Sequence, residues 1–312
     1  MLCKLEEFAH ILISPDDGTG LSLEFNGEGT LVDCSSSTRK FRIFQGTPIL
    51  LPLSSVASEK SDVCSLVPRR RHPTLRAISR FISGANRVAV INAKTFLRLL
   101  RHERKSDRPR VLVVGAGMIG DGSELLYDET DVDLIAFDIY RTDCVQIVAD
   151  AHKIPLADGC IDGVWIQAVL EHVVVPEQVV NEMHRVLRDG GFIYSETPFM
   201  QQVHEGRFDF QRFSESGHRW LFRKFDLIDS GVVWGPGWTL QWSIRYFFWG
   251  LTRSRVLGLM LSAPFMFVRW FDRFIPRGFS SDGASNLFFM GKKTEPELGI
   301  DDLISFYRGA QQ

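Results

Sequence analysis

The sequence predicts a doubly wound α/β fold: a mostly parallel sheet with helices on both faces, an antiparallel last strand, and a small β-rich unit ahead of it. Three observations lead there. The stretch R-V-L-V-V-G-A-G-M-I-G-D-G (110–122) sets four apolar, mostly β-branched residues, Val111 to Val114, before a G-x-G-x-x-G turn at Gly115, Gly117 and Gly120. A buried strand that turns on glycines into a helix at Ser123 is the opening of a ligand-binding βα unit. Strand and helix patterns then alternate from 110 to 235, the rhythm of a parallel sheet. Finally, Leu134–Asp138 ends on an acid 21 residues past Gly117, where a carboxylate can accept hydrogen bonds from ribose hydroxyls.

Residues 1–53 read as the small β-rich unit. Short strands are punctuated by Gly27, Gly29 and Gly46, and G-T-P-I-L-L-P closes the stretch, with Leu21, Leu23, Phe25, Leu31, Phe41, Ile43 and Phe44 as its candidate core. The layout resembles a small zinc-ribbon-like domain in which C-P-x-C and a later C-x-x-C hold the metal. Here Ser14-Pro15-Asp16-Asp17 and Cys34-Ser35-Ser36-Ser37 stand in those places, so three of four thiolates are missing and no metal is expected. The five cysteines (Cys3, Cys34, Cys64, Cys144, Cys160) are odd in number and form no C-x-x-C, which fits a reducing cytoplasm. Lys4, Glu6, Glu7 and His10 interrupt any signal-like apolar run.

Residues 54–109 read as a linker followed by a basic helix from Thr74, with Leu75, Ile78, Phe81, Ile82, Ala85, Val88 and Ala89 at helical spacing and a second apolar piece at Phe96–Leu100. Thirteen Arg and Lys residues face two acids between Arg69 and Arg110. The block is read as the solvated face of a helix that covers the cofactor cleft or a sheet edge, and nucleic acid is not expected as a partner.

In the core, Val145–Val148 reads as the third strand, with Asp150 after it either binding an adenine amino group or capping a turn. Ile161–Ala168 is the fourth strand, a helix opens at Pro176 and stops at Arg188-Asp189-Gly190-Gly191, and Phe192–Pro198 is the fifth strand. With V-V-G-A-G-M-I-G, F-D-I-Y, A-D-A-H-K-I-P-L-A-D-G-C-I-D-G-V-W, V-L-E-H-V and H-R-V-L-R-D-G-G-F-I-Y in this order, residues 110–312 resemble a class I, Rossmann-like S-adenosylmethionine-dependent methyltransferase. The resemblance implies S-adenosyl-L-methionine as cofactor. It places Gly115 and Gly117 at the methionine part, Asp138 at the ribose, Asp150 and Ala151 beside the adenine and Gln167 over the methionyl side, with Ala116 and Ile139 also among the cofactor-binding residues. Val114 departs from the acid that many members carry before the first glycine.

The stretch Pro198–Phe213 follows the fifth strand and is similar to a P-F-x-x-x-x-H-x-x-P-x-D-x-x-R segment of methyltransferases encoded among bacterial polysaccharide genes, with Arg207 in place of the proline. His204 is the candidate catalytic base, or else a loop histidine bonded to Asp209, itself the second candidate catalytic residue. Glu171 and His172 are read mainly as packing groups, and Arg212 as an anion binder or a partner of Asp209. The expected acceptor is an oxygen of a sugar, glycan or lipid-linked molecule. RNA or protein as substrate, or a non-catalytic cofactor-binding scaffold, remain the alternatives. Residues 238–275 form an aromatic, basic, helical insertion whose longest uncharged run, Val256–Val268, is too short to span a bilayer. It is read as a packed lid or a homodimer surface, with a membrane-interface helix as the other reading; the expected location is cytoplasmic, with peripheral contact at the inner face of the membrane under that second reading.

Overall fold

The computed structural model describes residues 2–24, 30–33, 40–55, 86–103, 107–295 and 297–311. Phe25, Gly27, Gly29, Cys34, Cys64, most of the expected linker and the expected helix start at Thr74 lie outside the described residues. The chain divides into two compact units, one of Met1–Gln167 with Glu177–Ile193 and one of Ala168–Pro176 with Tyr194–Gln312. The sequence expectation instead drew boundaries at 53 and 109.

In the first unit, four short strands come first: β1 (Leu21–Glu24), β2 (Thr30–Asp33), β3 (Lys40–Phe44) and β4 (Thr47–Leu50), joined antiparallel in succession. Gln45 and Gly46, both at positive φ, make the tight turn between β3 and β4. The rest of its sheet is β5 (Arg110–Val114), β6 (Asp133–Asp138), β7 (Ile147–Ala149), β8 (Ile161–Gln167) and the first half of β9 (Leu187–Pro198). The order is β1-β2-β3-β4-β7-β6-β5-β8-β9, with β4 parallel to β7 and β5 parallel to both β6 and β8. The small N-terminal strands therefore extend the parallel sheet at its edge. Strand order reverses between β5 and β8, and ligands bind at the carboxyl ends of strands at such a point. Val111–Val114, Leu134–Phe137 and Val164–Ile166 are all buried, as strands covered on both faces must be.

Leu21 and Phe41 are buried as expected in the N-terminal strands, while Ile43 and Phe44 are only half-buried. The turn at Ser14–Gly20 is held by hydrogen bonds: Ser14 N–H donates to Thr19 O (2.7 Å), Gly18 N–H to Ser14 O (2.9 Å), and Thr19 N–H to Asp17 Oδ1 (3.1 Å). β7 begins two residues later than expected, because Val145 N–H closes a turn onto Thr142 O (3.2 Å). The helix Pro176–Val186 ends where β9 begins, so the left-handed Gly190 (φ 74°) lies beyond the helix end.

The helix Arg87–His102 starts at Asn86, whose side chain accepts from Ala89 N–H. It buries Ala89, Ala93, Phe96, Leu97 and Leu100, and Phe96 sets its ring edge-on to Trp165 of β8 at 5.6 Å. The helix thus lies across a face of the sheet rather than along an edge, and its arginines fall on the opposite side.

In the second unit the second half of β9 continues into the order β9-β11-β10, where β10 (Phe225–Trp234) and β11 (Asn286–Lys293) pair antiparallel. This is the antiparallel last strand that the sequence predicts. Between them run the helices Pro236–Thr252 and Arg255–Ser262 and a 3-10 run, Ala263–Phe274. Arg253 in the left-handed region (φ 55°) ends the first, and Ser254 Oγ caps the second. Among the described residues no helix is long and apolar enough to cross a membrane.

Candidate active site

The first unit holds the glycine turn. Gly115 turns out of β5 at φ 74°, and the N–H groups of Gly115 and Ala116 both donate to Phe137 O at 3.0 Å. Gly117 N–H donates to Asp138 Oδ2 (2.7 Å) and Tyr140 N–H to Asp138 Oδ1 (3.1 Å), so the carboxylate ties the turn to the end of β6. Gln167 donates from Nε2 to Asp121 O (3.3 Å) and accepts from Trp165 Nε1 (3.4 Å), which links the end of β8 to the same loop. Gly122 sits at φ 87°, and a Cβ there would come within 2.6 Å of Ala89 backbone atoms. Only glycine lets the loop and the helix Arg87–His102 approach so closely.

Asp150 follows β7. Its Oδ2 accepts from Ser55 Oγ (2.8 Å), and its Oδ1 accepts from His152 N–H (3.0 Å) and meets His152 Nδ1 (2.7 Å). Burial raises its pKa, but the hydrogen bonds from His152 and Ser55 outweigh it and hold the carboxyl below the usual range. Of the two sequence readings the hydrogen bonds show the capping one: Asp150 follows a strand end and closes its own turn. Ile139 packs against Leu51 and Val148, and Ala151 is half-buried beside Asp150. Ser55 was missed by the sequence reading, and no local pattern marks a serine that reaches an acid 95 residues away.

The second unit holds the other candidates. Glu171 and His172 lie in a single 3-10 turn, Leu170–His172, which begins three residues past the end of β8. Glu171 is fully buried, and neither of its carboxylate oxygens has a hydrogen-bond partner among the described residues. Burial raises its pKa to about 8, with Arg212 acting against the shift and Asp209 and Glu196 with it. The Nε2 atoms of His172 and His204 each lie 3.7 Å from Glu171 Oε1, and the two rings meet edge-on at 4.9 Å.

Asp209 has its carboxylate wholly buried. It accepts from Arg212 through both oxygens and from His204 N–H (2.9 Å), and lies 3.3 Å from His204 Nδ1. Burial works against its charge, but Arg212 and His204 prevail and hold its pKa at about 2. Such a carboxylate orients His204 rather than taking protons near neutral pH. Arg212 also donates to the carbonyls of Gln201 and Gln202, so its role is to pair Asp209 and brace the loop. Although the His204 backbone is exposed, its side chain is only 24% exposed. Burial and the adjacent His172 push its pKa below the ordinary histidine value against the pull of Asp209.

Residues 112–195 match the family model described as a methyltransferase domain. A 44-residue stretch is 48% identical to an uncharacterized 37.1 kDa protein in transposon TN4556 of Streptomyces fradiae, and spans 14% of this chain and 13% of that relative. Among solved structures, a geranyl diphosphate C-methyltransferase from Streptomyces coelicolor A3(2) aligns at 12% identity over 74% of this chain and 89% of that one, with a TM-score of 0.44. The phosphoethanolamine N-methyltransferase 2 of Haemonchus contortus, solved with S-adenosyl-L-methionine, aligns at 14% identity over 71% and 57%, with a TM-score of 0.42. The family match marks residues 112–195 as a methyltransferase domain, and the order β7-β6-β5-β8-β9 in the first unit is that of a Rossmann-like methyltransferase sheet, whose cofactor is S-adenosylmethionine. The residues present fit that cofactor: acceptor carboxylates stand at the ends of β6 and β7, and glycine backbone at the end of β5 leaves room where a side chain would be strained.

Proposed function

We propose that the protein transfers a methyl group from S-adenosylmethionine to an oxygen of a sugar, glycan or lipid-linked acceptor. Asp138 would hold the ribose, Asp150 and Ala151 the adenine, and the turn from Gly115 to Gly117, with Gln167, the methionine part. When bound, the cofactor supplies a methyl group on a sulfonium, open to in-line displacement. The observation that carries the oxygen acceptor is the His204–Asp209–Arg212 array. Arg212 keeps Asp209 ionised, Asp209 orients His204 through Nδ1, and a neutral imidazole is left with Nε2 to receive the proton of an acceptor hydroxyl.

Incubating the protein with methyl-labelled cofactor and separate lipid, glycan and RNA fractions tests the reading. Label is expected in lipid or glycan; label confined to RNA or protein would replace the acceptor class, and none in any fraction would favour a non-catalytic scaffold. Asp138→Ala is expected to weaken cofactor binding by about 1.5–3 kcal/mol, the scale of a hydrogen bond to a charged group, as read by calorimetry.

A lipid-borne acceptor is favoured by one further observation. The helical segment 236–274 leaves Leu251, Phe247, Phe274, Val256 and Trp270 exposed, and arginines lie over its rings: Arg245 on Trp242, Arg255 on Trp249 and Arg273 on Phe274. An apolar face ringed by cations suits an anionic bilayer surface.

A further inference from the structure

We infer that Glu171, His172 and His204 form a binding site for one divalent transition-metal ion of zinc-like chemistry. Their ligand atoms all lie within 4.8 Å of one another. His172 Nδ1 is 2.8 Å from Phe208 O, and a carbonyl oxygen only accepts, so Nδ1 carries the proton and Nε2 a lone pair. His204 Nδ1 faces the ionised Asp209, which likewise only accepts, so its Nε2 also carries a lone pair. Both Nε2 atoms are 3.7 Å from Oε1 of Glu171, which is fully buried and has no hydrogen-bond partner on either carboxyl oxygen among the described residues. Two imidazole lone pairs and a buried carboxyl thus converge on one point, an arrangement that a cation satisfies by taking the place of the carboxyl proton.

The dimensions and the surroundings agree. Ligand atoms at about 2.0–2.1 Å from a tetrahedral ion lie roughly 3.3–3.4 Å apart, so the two carboxylate–imidazole distances of 3.7 Å need to contract by only a few tenths of an ångström. Metal-bound histidines characteristically turn their other ring nitrogen to a carbonyl or a carboxylate, and here His172 Nδ1 meets Phe208 O at 2.8 Å while His204 Nδ1 faces Asp209 at 3.3 Å. Two imidazoles and a carboxylate suit zinc and its first-row neighbours better than magnesium, and three protein ligands leave a position open. With an ion bound, His204 Nε2 would be a ligand, so the base role given to it on the methyl-transfer reading belongs to the metal-free chain. The metal site itself does not depend on that reading.

The test is direct titration of the chelator-stripped full chain with zinc chloride, without methyl donor or acceptor, followed by calorimetry and thermal melting. One zinc per chain and a raised melting temperature are expected. Glu171→Gln and His172→Ala should each weaken binding more than about 100-fold, since partners one shell further out already cost about 10–100-fold. Circular dichroism of the metal-free variants reports whether they fold. Should either lose its structure, cobalt(II) absorption of the parent chain gives the second readout, with the intensity of a four- or five-coordinate nitrogen–oxygen site expected. Absence of stoichiometric binding, unchanged affinity in both folded variants, or a weak six-coordinate cobalt spectrum would overturn the site. Zinc binding here together with no methyl transfer in the labelled-cofactor assay would leave the site standing and remove the function proposed above.

Discussion

The glycine turn of the first unit and the aromatic helices of the second solve opposite problems. Within β5 and β6 the apolar residues are all buried, and short local hydrogen bonds join Asp138 to Gly117 and Tyr140. In segment 236–274 the chain is helical almost throughout, yet Leu251 is 70% exposed, Phe274 68% and Phe247 67%. A strand buried on both faces is completed by its own chain, whereas a helix with aromatic residues all round needs a second surface. The difference separates a region whose sequence specifies its own packing from one whose sequence specifies a contact.

The sharpest way to break this comparison is to add one methyl group to each region. Gly122→Ala would place a Cβ within 2.6 Å of Ala89 backbone atoms at φ 87°, so strain and overpacking act together. A loss of about 3 kcal/mol is expected in urea denaturation. Gly250 lies in the helix Pro236–Thr252 with nothing within 4 Å of its added Cβ. Gly250→Ala is expected to gain about 0.5 kcal/mol from helix propensity. Equal effects at the two positions would mean that the two regions are packed alike.

Binding to vesicles sharpens it next. The chain is expected to bind anionic vesicles more tightly than neutral ones, and less tightly as salt rises. Replacing Arg245, Arg255 and Arg273 by Gln should cost about 1 kcal/mol for each. A stable dimer in sedimentation with no vesicle binding would reassign the apolar face to a subunit contact.

The same contrast explains what could be read in advance. The parallel strands were legible because period, length and glycine punctuation are local, and Asp138 stands at a fixed distance from Gly117. Strand β7 was displaced by a turn at Thr142–Val145 that the run Val145–Val148 does not advertise. The polar cluster of the second unit was legible only in part. His204 and Asp209 sit five residues apart in one loop, but Glu171 comes from another turn, and its burial without a donor is a property of the fold. The expectation of no metal weighed the N-terminal cysteine positions; Glu171, His172 and His204 were weighed only as acid–base or packing groups.

The smallest effect expected concerns Asp150, where a structural and a binding role meet. Its carboxyl is held below the usual range by His152 and Ser55 in spite of burial. A carboxyl depressed in the folded state binds fewer protons there than in the unfolded chain. Its contribution is therefore full above the unfolded value of about 3.9 and fades as pH falls through the lower folded value. Asp150→Asn removes that titration but keeps an oxygen for the Ser55 hydroxyl, so the variant should be less stable by about 1 kcal/mol at pH 6. The gap between parent and variant should narrow as pH drops from 5 towards 3, read as melting temperatures across that range. A constant gap would show that the hydrogen bonds to Asp150 do not depend on its charge. A gap that widened in acid would reverse the sign of the shift and detach Asp150 from the pair with His152. If the gap narrows while the variant also loses affinity for S-adenosylhomocysteine at pH 7, the same carboxylate both fastens the turn after β7 and receives the adenine.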